Sequence, residues 1–253
     1  MEGLNMRFGP LLNHHHLLAA IRTGGAVLLA FLTGFHAAAD AQEVPGGCGS
    51  LTQPWGPFDY RPDHYIPENT YRSHRALLAI VEQAHFTPEV EMLARGKTST
   101  TAGNDISYTL GIFPNHHRAL LAMAALSDKE KTDKPYGARY SVECFFRRAV
   151  AWRPDDNIVH MVYARYLAKA SRVAEAEQQL GIAASQANDN PLTHNNLGLI
   201  YFDMKNYGQA LFHAHKAYAL GLEISALRKQ LESVGKWKEP RSEAALEPVK
   251  NTQ

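Results

Sequence analysis

Residues 157–190 read NIVHMVYARYLAKASRVAEAEQQLGIAASQANDN, and the next 34 residues, 191–224, read PLTHNNLGLIYFDMKNYGQALFHAHKAYALGLEI. Laid one over the other, His160 meets His194, Tyr163 meets Leu197, Ala164 meets Gly198, Leu167 meets Tyr201, Ala176 meets Ala210 and Ala183 meets Ala217. Self-similarity at a fixed period of about 20 to 50 residues marks a stacked-repeat architecture. A unit of that size cannot bury its apolar face alone, so it needs a neighbour on each open side. The period therefore predicts an all-α solenoid of helix–turn–helix units.

The matched positions resemble the tetratricopeptide repeat, in which a small residue in the first helix and two alanines in the second let the helices approach closely. The unit with Leu197, Gly198, Tyr201, Ala210 and Ala217 fits well, and the one before it carries Ala164 in place of the glycine. An earlier unit emerges from CFFRRAVAWRPDD (144–156), where Phe146, Ala149 and Pro154 fall on the family's places. That predicts a second helix over Tyr140 to Trp152 and a first helix in HHRALLAMAAL (116–126). The connection SDKEKTDKPYGAR (127–139) is longer than the family's tight turn. The amphipathic segment SALRKQLESVG (225–235) is expected to cap the open end. The resemblance thus implies about three repeats plus a capping helix over 104–235, followed by a polar tail, 236–253, expected to be disordered. More loosely, GPFDYR, HFTPEVE, FPNHHRAL and VECFFRRA ahead of the repeats resemble a group of exported proteobacterial envelope proteins with such repeats.

Residues 42–103 read as an irregular arm with short helices. Glycine, proline and aromatics alternate without period from Gly46 to Pro67, so Trp55, Phe58, Tyr60 and Tyr65 are expected as anchors along an extended strap that packs on the protein's own surface. SHRALLAIVEQ (73–83) is short and apolar. Thr87 and Pro88 open a helix that Gly96 is expected to end. KTSTTAGND is a loop, and DISYTLGIFPN a short helix that stops before Pro114. In FPNHHRALLAMAAL (113–126), Asn115 is expected to cap the next helix, with His116 and His117 at the joint between arm and repeats.

The first 41 residues read as a signal peptide: Arg7 and Arg22 precede the apolar run GGAVLLAFLTGF, and small residues follow it. The run is short of the roughly 20 residues of a stable span, so cleavage after Ala41 is expected and no transmembrane anchor remains. A periplasmic location follows. Cys48 lacks the preceding aliphatic residue of a lipid-attachment box, so a lipid anchor there is not expected. Export permits a Cys48–Cys144 disulfide closing nearly 100 residues, worth roughly 4 to 5 kcal/mol in the chain-entropy model. Two unpaired, buried cysteines are the other reading.

With a net charge of +1 the chain has no basic face to release counterions, so nucleic acid is not an expected partner. There is no G-x-S-x-G, H-E-x-x-H, C-x-x-C or phosphate-loop motif, and neither enzymatic activity nor a cofactor is expected. Histidine is over-supplied at 13 residues. Zinc wants three or four convergent ligands, yet His213 and His215 point about 200° apart on a helix, and His116 and His117 about 100°. His160 and His194, at one place in consecutive units, form the best pair. With His116 and His117 they make the rival reading, a metal-binding or metal-delivery protein.

The family's groove-facing positions, carried over, select Met161, Arg165 and Ala168 in one unit and Asn195, Asn196, Leu199 and Phe202 in the next. Asn196 can both donate to and accept from a peptide backbone. Met161 stands where a carboxylate clamp needs lysine, so recognition of a free C-terminus is not implied. The expectation is a non-catalytic adaptor that binds a peptide segment or protein subunit of a cell-envelope assembly.

Overall fold

The computed structural model describes residues 43–61, 74–97, 101–223 and 226–240. The expected signal peptide, Tyr65 of the arm and residues 241–253 lie outside them. The described residues form helices α1 (His74–His85), α2 (Pro88–Glu91), α3 (Ala102–Ile112), α4 (His117–Glu130), α5 (Val142–Trp152), α6 (Asn157–Lys169), α7 (Val173–Ser185), α8 (Pro191–Asp203), α9 (Tyr207–Ala219) and α10 (Ala226–Ser233). Apart from one antiparallel bridge between Glu43 and Ser50, no β-structure occurs among them. The protein is all-α.

Side-chain caps set where several of the helices start. Thr101 accepts from the Asn104 amide, Ser141 from Cys144, Asp156 from Ile158 and Val159, and Asn190 from Leu192 and Thr193. Each cap satisfies an amide that helical geometry leaves without a partner. The ends repeat as well. Lys131, Ser171 and Lys205 all take positive φ (54°, 61° and 61°) just past α4, α6 and α8. After each, an amide reaches back five residues: Thr132 to Ser127, Arg172 to Leu167 and Asn206 to Tyr201. That left-handed closure turns each helix into the next, and it recurs in all three units although unit one carries the longer connection.

The pairs α6–α7 and α8–α9 pack along their length, while α4, α6, α8 and α10 touch in succession. One continuous core runs from Phe86 and Val90 to Leu227 and Leu231. Buried alanines at 164, 176, 183, 210 and 217 provide the close approach. At Gly198 an added Cβ would lie 2.3 Å from Leu227 Cδ2 and 3.2 Å from the Ala210 carbonyl oxygen. Leu227 can rotate away; the backbone oxygen cannot. Gly198→Val is therefore expected to cost about 1 to 3 kcal/mol by overpacking, read from urea unfolding, with Gly198→Ala costing less.

The first unit departs from the expectation. α4 runs through Ser127–Glu130, which the sequence reading placed in the connection, and α5 starts at Val142 rather than Tyr140 because Ser141 is the cap. The loop between them lies on α3: Thr101 Oγ1 donates to the Tyr136 carbonyl at 3.3 Å, and the Arg139 amide to Ser107 Oγ at 3.0 Å. A Cβ at Gly103 would come within 2.2 Å of the Tyr136 oxygen, so only glycine fits there. α4 consequently packs more closely on α3 than on α5.

Three boundary expectations are corrected. α3 begins at Ala102, in the stretch read as loop, because Thr101 caps it. α2 ends at Glu91, not at Gly96, because Leu93 turns left-handed at φ 58°. His116, not Asn115, caps α4: its Nδ1 accepts from the Ala119 amide at 3.1 Å. In the arm, Val44, Cys48 and Leu51 pack against Ala151 and Trp152, and the Cys48–Cys144 disulfide joins them to α5 across a separation of 96 residues. The Phe58 amide donates to the Ile112 carbonyl, and its ring meets Phe113 at 5.8 Å. Tyr60 lies on His116 at 4.1 Å. Trp55, expected as an anchor, is instead 63% exposed. Beyond α10, Trp237 packs on His215 and Tyr218 under Arg228, so ordered packing continues past Gly235.

Candidate functional site

Because α4, α6, α8 and α10 lie in succession, they leave one shared face uncovered by the second helices of the units. Along α6 the residues on that face are Ile158, Met161, Val162 and Arg165, and along α8 Asn196, Leu199, Ile200 and Asp203. Both sets follow i, i+3, i+4, i+7, which is one stripe of an α-helix. Leu121 of α4 and Gln230 of α10 close the two sides, and the groove encloses about 410 Å³. Met161, Val162 and Ile200 are buried, whereas Leu121 and Ile158 are 39% and 40% exposed apolar walls. The side chains of Arg165, Asn196 and Asp203 form no hydrogen bond or ion pair with another described residue. Gln230 Oε1 is buried and receives no donor from a described residue. A second depression of about 590 Å³ continues along Arg165, Ala168, Lys169, Asp203 and Lys205. The described residues of the arm line neither.

Of the residues selected from sequence, Met161, Arg165, Asn196 and Leu199 meet in the groove and Ala168 in its continuation. Asn195 and Phe202 lie off the stripe, each one residue short of a lining position, and Phe202 packs edge-on against Tyr207 at 5.4 Å. Ile158, Val162, Ile200 and Asp203 were missed, though the spacing that contains Met161–Arg165 and Asn196–Leu199 points to them. Leu121 and Gln230 required knowledge of which helices become neighbours.

The histidines separate into distinct hydrogen-bonded settings. His160 lies with Nε2 2.9 Å from the Pro154 carbonyl and Nδ1 2.7 Å from the Gln179 side-chain amide. His194 repeats the arrangement 34 residues on, with Nε2 3.0 Å from the Asn188 carbonyl and Nδ1 3.1 Å from His213 Nδ1. The two therefore do not stack on each other, as the repeat register suggested; each bridges its own helix pair. Because His194 donates through Nε2, its Nδ1 accepts from His213. Burial lowers the pKa of both, and the charge His194 and Lys216 would add helps push His213 down to about 4. Among the described residues no group of three or more His, Cys, Asp or Glu is placed to hold a metal ion.

His116 and His117 belong to the joint. His116 is fully buried; burial lowers its pKa, against the hydrogen bond to Glu82 Oε1 at 3.1 Å. His117 Nε2 lies 2.8 Å from Asp156 Oδ2. Between arm and repeats sits Asn115, with no exposure: Nδ2 donates to Asp59 Oδ1 at 2.7 Å and Asp156 Oδ2 at 2.9 Å, and Oδ1 accepts from the Tyr60 amide at 2.9 Å. Burial acts to raise the Asp59 pKa, but hydrogen bonds from Arg61 and Asn115 outweigh it and hold the carboxyl at about 2. Arg153 Nε is 2.7 Å from Asp59 Oδ2, an ion pair by distance, yet it lies off the hydrogen-bonding direction and its N–H has no acceptor. This joint is structural, and it positions α4 and α6 for the groove.

No protein-family model matches the chain, and neither a curated protein nor a solved structure matches it significantly.

Proposed function

We propose that this protein is an exported, non-catalytic adaptor of the tetratricopeptide-repeat kind, whose groove takes an extended peptide segment of a partner protein in the cell envelope. The observation that carries it is the groove's mixture of half-exposed apolar walls with side-chain groups that have no partner among the described residues. An extended peptide offers one N–H and one C=O per residue. Asn196 answers both, and the buried Gln230 Oε1, costly when left without a donor, accepts an N–H. Leu121, Ile158 and Leu199 give adaptable apolar contact, while Arg165 and Asp203 select side chains of opposite sign. The turn geometry shared by the three units and the spacing of their small residues support the repeat reading. The disulfide is compatible with an oxidising compartment and so with export.

In capture from periplasmic and membrane fractions, the double variant Asn196→Ala, Arg165→Glu is expected to retain its partner at least about tenfold less than wild type, the effect of about 1.4 kcal/mol lost from the contact. Helical circular dichroism should not change. Equal retention by the two proteins would rule out this groove.

A further inference from the structure

Arg148 of α5 is 3% exposed and has no carboxylate in ion-pair contact among the described residues. Its Nη1 donates to the carbonyl oxygens of Cys48 at 3.0 Å, Gly49 at 3.4 Å and Ser50 at 2.8 Å, but its Nε–H is buried without an acceptor among the described residues. An interior cation without a counter-charge is costly unless something binds beside it. Burial lowers its pKa, and the charge of Arg139 acts the same way, against Tyr140 and Glu43. Both guanidinium groups lie over the ring of Tyr140, Arg148 at 4.7 Å and Arg139 at 5.3 Å.

The two arginines line one open cavity of about 260 Å³, bounded by α3, α5, the long connection of the first unit and Gln53 of the arm. Among the described residues its lining contains no acidic one. Asn104 and Ser107 supply neutral donors and acceptors, while Tyr140 and Phe145 supply ring surface. Ser107 Oγ already accepts the Arg139 amide, which leaves its O–H to donate. That bond and the one from Thr101 to Tyr136 hold the connection against α3. The insertion that sets the first unit apart thus builds a wall of this cavity.

We propose that the cavity binds a small organic acid, a carboxylate on a ring-sized apolar body. Two cations without an acid call for an anion, and the planar guanidinium suits a carboxylate. Ring walls call for an apolar body, which an inorganic ion lacks. The volume is below the roughly 300 to 1,000 Å³ of drug-sized sites, so the ligand is a compact one. The cavity shares no residue with the groove, and the two assignments stand or fall separately.

Calorimetric titration of the oxidised, folded protein with benzoate and 4-hydroxybenzoate is expected to show saturable 1:1 binding, with benzamide and sulfate giving none at equal ionic strength. Arg139→Gln, an exposed side chain whose loss leaves the fold intact, is expected to weaken benzoate binding at least tenfold. On titration the Arg139 amide resonance should shift in the wild-type protein. Absence of saturable binding by either acid, equal binding of benzamide or sulfate, or an undiminished affinity in Arg139→Gln would each overturn the proposal.

Discussion

Replacing Cys48 and Cys144 together by serine is expected to lower stability by about 4 to 5 kcal/mol, because the bridge closes a loop spanning 96 residues of sequence. For a folded body of this size the melting temperature should fall by roughly 8 to 20 °C. Differential scanning calorimetry of the double variant against the oxidised wild type measures it. Reduction of the wild type should reproduce the effect. The cost is carried by the arm. Val44, Cys48 and Leu51 form a small apolar cluster of their own on α5, separate from the main core. Without the bridge this segment is held to α5 by that cluster and by the bonds from Arg148 to the carbonyls of Cys48, Gly49 and Ser50. Limited proteolysis should accordingly cut near residues 43–58 first. A variant that melts within about 2 °C of wild type would show that these noncovalent contacts hold the arm unaided.

Asn115→Leu is expected to cost about 3 to 5 kcal/mol, although the two side chains are close in size. Its two N–H groups each serve a carboxylate, on Asp59 and Asp156, that is 3% and 1% exposed. Leucine removes one donor from each anion, although Arg61 and His117 still pair with them, and it leaves the Tyr60 amide without its acceptor; two charge-assisted hydrogen bonds and one neutral one are lost together. The pH dependence identifies the cause. Asp59 titrates at about 2 in the fold against an ordinary 3.8, and Asp156 is shifted the same way. A folded pKa below the unfolded one adds stability that is present above about pH 4 and is lost as pH falls toward 2. The gap between wild type and Asn115→Leu in urea unfolding should therefore narrow from pH 6 to pH 2. A gap that holds constant over that range would assign the loss to packing alone.

The expectations that succeeded and those that failed differ by the distance over which the deciding interaction acts. Helices α6 to α9 were legible because small residues at matched places in two consecutive stretches report the same helix–helix contact twice. Pro88 gave the start of α2 for a local reason, since a first helical residue needs no amide partner; Thr87 stands at the cap position, but its side chain makes no capping bond. The end of α2 was not legible, since Leu93 adopts a left-handed conformation that nothing in its side chain favours. Asn115 was read as a cap from its chemistry. Instead, an arm residue more than 50 positions away, Asp59, draws its amide inward, and His116 takes the capping role.

In the groove the same division holds. Met161, Arg165, Asn196 and Leu199 follow from repeat register, and the helical stripe through them contains Ile158, Val162, Ile200 and Asp203. Asn195 and Phe202 failed by about 100° of helix rotation. Which helices would face each other was not written in any single segment, so Leu121 and Gln230 became visible only once α4 and α10 were seen beside α6 and α8.

By itself the amino-acid sequence determined the helical class, the 34-residue period and the positions where small side chains let helices meet, because these are written as spacings along the chain. Tertiary structure alone decided the pairing of Cys48 with Cys144, the burial of Asn115 between two aspartates, and the meeting of Arg139 and Arg148 at one cavity. Each of these joins residues far apart in the chain, and their energies depend on burial and exclusion of water, which exist only after the helices have packed.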